Sequence, residues 1–121
     1  MAAQVLVVED NSLDAKLIVE GVARSATAPG VTVVGDGEQA LALLRGQDSH
    51  REALQASLIL LDWGLPRISG AEVLAQIRVD ERLKLIPVVI LTASEAEQDI
   101  RTAYRLQANC FVTKPSARTS W

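Results

Sequence analysis

Apolar residues follow two rhythms along this chain. Val5-Leu6-Val7-Val8 is continuous and rich in β-branched residues, the pattern of a strand buried on both faces rather than one with a wet side. Val31 to Val34, Leu58 to Leu61 and Val88 to Leu91 repeat it, with Cys110-Phe111-Val112 as a shorter fifth run. Between these runs the spacing becomes helical. The stripes are Leu13, Leu17, Ile18, Gly21 and Val22; Ala40, Leu41, Leu43 and Leu44; Val73, Leu74 and Ile77; and Ala96, Ile100, Ala103 and Tyr104. Ser94 suits an N-cap for the last helix, with Glu97 three residues on. Pro29-Gly30 and Asp36-Gly37 bracket the second strand, and Pro66 and Gly70 separate the third from its helix. Gln47 to Ala56, which carries His50, reads as an irregular extension of the second helix or as a surface loop. Strict alternation of strand and helix predicts right-handed crossovers and a parallel sheet covered on both faces, an α/β fold.

Size and charge narrow the function. A chain of 121 residues, about half of them apolar, fits one domain with one core. Its net charge of -3 would repel a polyanion, which argues against nucleic acid as a direct partner. One cysteine, Cys110, cannot close an intrachain disulfide, and no secretion signal is evident, so a reducing cytoplasm is expected. The apolar runs fall far short of the ~20 residues that span a bilayer.

The chemistry gathers where the strands end. Ligands of open parallel sheets bind outside the carboxyl ends of the strands. Here those ends read Glu9-Asp10, Asp62, Thr92 and Lys114-Pro115. Three carboxylates in one crevice repel, and a hard cation bound through oxygen relieves them. Glu9-Asp10 before Asn11-Ser12 is also good helix-start chemistry, and Thr92 could cap the fourth helix. Lys114 alone could be a solvated lysine, and Phe111 a core residue. Taken together, a cation, an ammonium and a hydroxyl would neutralise a phosphoryl group from three sides, with a carboxylate as the nucleophile.

Four motifs make this specific: Val8-Glu9-Asp10-Asn11; Leu61-Asp62-Trp63-Gly64-Leu65-Pro66 followed by Gly70; Leu91-Thr92-Ala93-Ser94; and Thr113-Lys114-Pro115. In this order, at strand ends, the chain resembles the receiver domains of two-component response regulators. Leu65-Pro66-Arg67 and the run from Leu91 to Glu97 further resemble the single-domain receivers paired with bacterial phytochrome kinases. The resemblance implies a flavodoxin-like, doubly wound sheet of five strands in the order 2-1-3-4-5. It also implies a phosphoryl group accepted on Asp62 from a sensor histidine kinase. Mg²⁺ would be held by the Asp10 and Asp62 side chains, the Gly64 carbonyl and, through a water, Glu9. Thr92 would donate to a phosphoryl oxygen, Lys114 would pair with the phosphoryl group, and Pro115 would be the family's cis proline. Phe111 would be the switch aromatic, turning inward as Thr92 is drawn to the phosphoryl group. Gly64 and Ser94 stand where side chains tune hydrolysis. His50, Cys110 and Tyr104 have no place in this scheme, and Trp63 is expected to be exposed beside the site.

Rival functions fit less well. A haloacid-dehalogenase-type phosphatase needs a second acid two residues after its nucleophile, where this chain has Gly64. No phosphate-binding glycine loop follows the first strand. A receiver-like module that is never phosphorylated usually lacks an acid or the lysine, and this chain keeps them all. The protein is thus expected to be no enzyme beyond its own phosphorylation and dephosphorylation. Its output would be an altered contact with another protein, or relay to a second histidine. The resemblance is placed on residues 1–115, with 116–121 as a short tail where the family continues into a fifth helix. Leaving that helix out would bare apolar side chains worth roughly 6–15 kcal/mol, at about 1.5–3 kcal/mol each. Burial of that face in a homodimer or by an exchanged segment, with Trp121 as an anchor, is the expected compensation.

Overall fold

The computed structural model describes residues 3–24, 29–46, 53–92 and 97–113. In chain order the elements are β1 (Gln4–Val8), α1 (Ser12–Ala23), β2 (Gly30–Val34), α2 (Gly37–Arg45), β3 (Leu58–Asp62), α3 (Gly70–Val79), β4 (Val88–Thr92), α4 (Glu97–Arg105) and β5 (Cys110–Thr113). The strands form one parallel sheet in the order β2-β1-β3-β4-β5. This is the flavodoxin-like order that the resemblance implied.

Local chemistry sets the helix starts. Asn11 accepts from the Asp14 N–H at 3.0 Å, Asp36 from Gln39 at 2.8 Å and Ser69 from Glu72 at 3.2 Å. Each satisfies an amide that the first helical turn cannot. Helix α2 stops at Gly46, whose φ of 69° is the left-handed conformation glycine adopts without strain. That cap ends α2, and residues 53–56 belong to no helix or strand. Residues 47–52, including His50, lie outside the described residues.

The two faces of the sheet are unequal. Leu6, Val8, Ile59, Leu61, Val88 and Ile90 pack under α2, α3 and α4 with Leu41, Leu44, Val73, Leu74, Ile77 and Ala103. On the other face Val5, Val7 and Leu91 meet Ile18 of α1, and Leu58, Leu60, Val89 and Val112 are only partly buried. An open apolar groove of about 210 Å³ runs there between Ile18, Gly21 and Val22 of α1 and Leu60 and Leu91 of the sheet.

Several expected burials are corrected. The α1 stripe is Ala15, Ile18 and Val22, while Leu13 and Leu17 are 65% and 45% exposed. Of the single stripe that the spacing suggested, Ile18 and Val22 face the sheet, joined by Ala15, while Leu13 and Leu17 face solvent. Tyr104 of α4 is exposed, and Leu106 and Ala108 past the helix pack in its place. Strands β2 and β5 are not buried throughout, because they are the sheet's edges: Val33 and Cys110 are exposed. The proposed cap Ser94 and the stripe residue Ala96 lie outside the described residues.

One side chain ties the end of α3 to the strands beyond it. Arg78 donates from Nε to the Gln107 carbonyl at 2.9 Å and from Nη1 to the Lys84 and Ile86 carbonyls at 3.0 and 2.8 Å. Its Nη2 reaches Asn109 Oδ1 at 2.9 Å, and that oxygen also accepts from the Val88 N–H at 2.8 Å. Partial burial lowers the Arg78 guanidinium from its ordinary value, without discharging it. The clamp joins the segments entering β4 and β5, and so fixes the register that places Thr92 opposite Thr113. Arg78→Met should cost about 1–3 kcal/mol, because it strands carbonyls that have lost their donor. Urea unfolding checks this, and an unchanged midpoint would show that the clamp contributes nothing.

Candidate functional site

The carboxyl edge of the sheet collects the polar ends of three central strands. Glu9 directly follows β1, and its N–H donates to the Val34 carbonyl at 3.0 Å, extending the ladder with β2 by one residue. Asp62 and Thr92 are the last residues of β3 and β4. Glu9, Asp62 and Thr92 are 3%, 7% and 4% exposed, and they are the buried polar or charged residues among those described. Burying such groups is costly unless interactions compensate. Their gathering at one sheet edge marks it as the candidate site.

The carboxylates converge. Oxygens of Glu9, Asp10 and Asp62 lie within 4.8 Å of one another, with Asp10 exposed at the mouth. At about 4 Å two unit charges repel by about 1 kcal/mol in water and about 4 kcal/mol near a protein surface. A divalent cation turns that repulsion into attraction, and an all-oxygen donor set suits a hard ion of the Mg²⁺, Mn²⁺ or Ca²⁺ type. The residues present therefore fit such an ion. The helix-start reading of Glu9-Asp10 is excluded, since the N-cap of α1 is Asn11. Thr92 ends β4, and the residues between it and α4 lie outside the described residues.

The loop after β3 is held tightly. The Gly64 N–H donates to Asp62 Oδ1 at 3.3 Å, turning the chain just past the strand. Gly64 is exposed, with open space where a side chain would project. The Trp63 N–H donates to the Leu91 carbonyl, and the Trp63 carbonyl accepts from the Gly70 N–H, both at 3.0 Å. Gly70 permits this approach: a Cβ there would stand 2.5 Å from the Asp62 carbonyl oxygen and 2.8 Å from Trp63 Cα. The sequence marked Gly70 as a breaker and as part of a motif, but its packing role was not legible.

Phe111 of β5 sits in register with Ile90 and is half-buried. Trp63 is half-buried too, contrary to the exposed position expected of it. Its ring packs against the main core, and its centroid lies 6.3 Å from that of Phe111 at an interplanar angle of 68°. Lys114, Pro115 and Ser94 lie outside the described residues, although Lys114 directly follows Thr113, the partner of Thr92 in the sheet. Gly70→Ala should push the Asp62 turn out of place and weaken Mn²⁺ binding by roughly tenfold or more, since small displacements at a preorganised site are expensive. Calorimetric titration checks it, and wild-type affinity would mean that the turn absorbs the methyl group without moving the acids.

Comparison with known proteins fits this geometry. The sequence matches the response regulator receiver domain over residues 5–120. Response regulator Rcp1 of Synechocystis sp. is 40% identical over 110 residues, spanning 91% of this chain and 75% of that protein. The fold superposes on the phosphorylated cyanobacterial phytochrome response regulator RcpA with a TM-score of 0.91 at 43% identity, covering 97% of this chain and 84% of that one. The Mn²⁺-bound form of Rcp1 gives 0.89 at 38%, covering 96% and 84%. Agreement in sequence and backbone over nearly the whole chain shows that this chain belongs to the response regulator receiver domains of two-component systems.

Proposed function

We propose that this receiver accepts a phosphoryl group on Asp62 from a sensor histidine kinase, with Mg²⁺ as the cation. The observation that carries the reading is the convergence of Glu9, Asp10 and Asp62 at the end of β3, beside the buried Thr92. Asp10, Asp62, the Gly64 carbonyl and, through a water, Glu9 would hold the ion. When bound, it would offset charge on the phosphoryl oxygens. A carboxylate oxygen of Asp62 attacks phosphorus as the bond from phosphorus to the donor's histidine nitrogen breaks. Thr92 donates its hydroxyl to a phosphoryl oxygen, and Lys114 pairs with the same group. Phe111 turns inward as Thr92 moves, so packing biases the two states of the switch. The protein is no enzyme beyond this self-directed phosphoryl chemistry.

The kinase is of the phytochrome type. Supporting this, RcpA is a phytochrome response regulator 43% identical to this chain, and AtBRR, a bacteriophytochrome response regulator, is 37% identical. Output runs through an altered protein contact or relay to a second histidine, in the cytoplasm, where the free and exposed Cys110 would stay reduced. A homodimer buries the open groove beside α1, whose lining is apolar.

Acetyl phosphate with Mg²⁺ tests the central reading. Labelling should appear in the wild-type chain, vanish in Asp62→Asn and require far more Mg²⁺ in Asp10→Asn. Undiminished labelling of Asp62→Asn, mapped to another residue, would sink the assignment. Sedimentation at micromolar concentration should give a dimer, and a stable monomer refutes association through the groove.

A further inference from the structure

Phe111 shares its face of the sheet with residues that bear on Asp62. Ile59 and Leu61 of β3 and Val88 and Ile90 of β4 belong to the larger core, whereas Leu58, Leu60, Val89 and Leu91 belong to the smaller one. The two-residue period of a strand then puts Trp63, Thr92 and Phe111 on the larger core's face. The rings of Trp63 and Phe111 meet across β4, edge to face, with centroids 6.3 Å apart. Trp63 cannot drift, because its backbone is bonded to Leu91 on β4 and to Gly70 at the start of α3. The residue one peptide bond from Asp62 thus touches the ring assigned as the switch.

We infer that Trp63 is a positioning residue for Phe111: the edge-to-face contact holds Phe111 half-buried, against the inward turn that phosphorylation of Asp62 favours. The inference rests on the receiver reading of Asp62 and on Phe111 as its switch. Thr92 supplies the pull toward the phosphoryl group, and Trp63 sets the resistance. Coupling between sites is reciprocal. Loosening the hold on Phe111 must therefore appear as tighter binding of a phosphoryl mimic at Asp62. Aromatic pairs of this geometry are worth roughly 2- to 12-fold in an equilibrium constant.

The test measures beryllofluoride affinity in Mg²⁺, by calorimetry or fluorine NMR, on the full chain. Trp63→Leu should tighten binding by roughly 2- to 12-fold when residue 111 is Phe, and leave it unchanged in the Phe111→Leu background. Trp63→Phe keeps a ring and should stay within about twofold of wild type. Thermal melting verifies that each variant folds; should Trp63→Leu fail to, Trp63→Met fills the space without a ring and carries the same comparison. An equal effect of Trp63→Leu in both backgrounds, or none in either, overturns the inference, because Trp63 would then act on Asp62 directly or not at all. A wild-type chain that binds no beryllofluoride overturns the receiver reading itself, so the two failures are distinguishable.

Discussion

Repulsion among three carboxylates is the constraint around which this molecule is arranged. Nothing in the packing of an α/β sheet calls for Glu9 and Asp62 to be buried within 4.8 Å of each other and of Asp10. A fold selected for stability alone would place a cap or an apolar residue at those strand ends. The cost is tolerable because the acids stand at the rim of a rigid sheet, with Asp10 at the solvent. A cation can reach them there and reverse the sign of the interaction. The same arrangement makes Asp62 receptive to a phosphoryl group, whose charge is unfavourable in a purely anionic crevice and favourable once a cation is present.

The rest of the fold keeps that geometry from relaxing. Like charges on flexible loops would separate, but these are attached to β1 and β3, which pair directly in the centre of the sheet. The β3 turn is closed from both sides by the Leu91 carbonyl and the Gly70 amide, and Gly70 has no room for even a methyl group. At the opposite end of the sheet Arg78 gathers the segments leading into β4 and β5. It acts on the site only through register, by setting which residues of β4 and β5 stand side by side.

Sequence made the architecture legible because its signals are local. Continuous apolar runs marked the strands, and acids at their ends marked the chemistry before any fold was in view. Burial was harder where it depends on neighbours. Leu13 and Leu17 have the spacing of a buried stripe, yet only the topology decides which side of α1 meets the sheet. Val33 and Cys110 look like core residues until the strand order puts them on edge strands. Trp63 was misjudged for a related reason. A tryptophan beside a polar site reads as a rim residue, and its contact with Phe111 spans 48 positions of sequence that no motif connects.

The unequal faces of the sheet give the proposed switch its physical setting. Phe111 and Thr92 share the face of the larger core, where close packing transmits displacement instead of absorbing it. Phe111 is nevertheless only half-buried, at an edge strand, where a ring has somewhere to go. A fully enclosed ring could not move without opening a cavity, and a fully exposed one would gain too little from moving. In the proposed switch, phosphorylation would shift the ring only by as much as the differential contacts it creates. A half-buried aromatic with no hydroxyl to anchor it would leave that shift to packing, and the contact with Trp63 is the one that links it to the neighbour of Asp62.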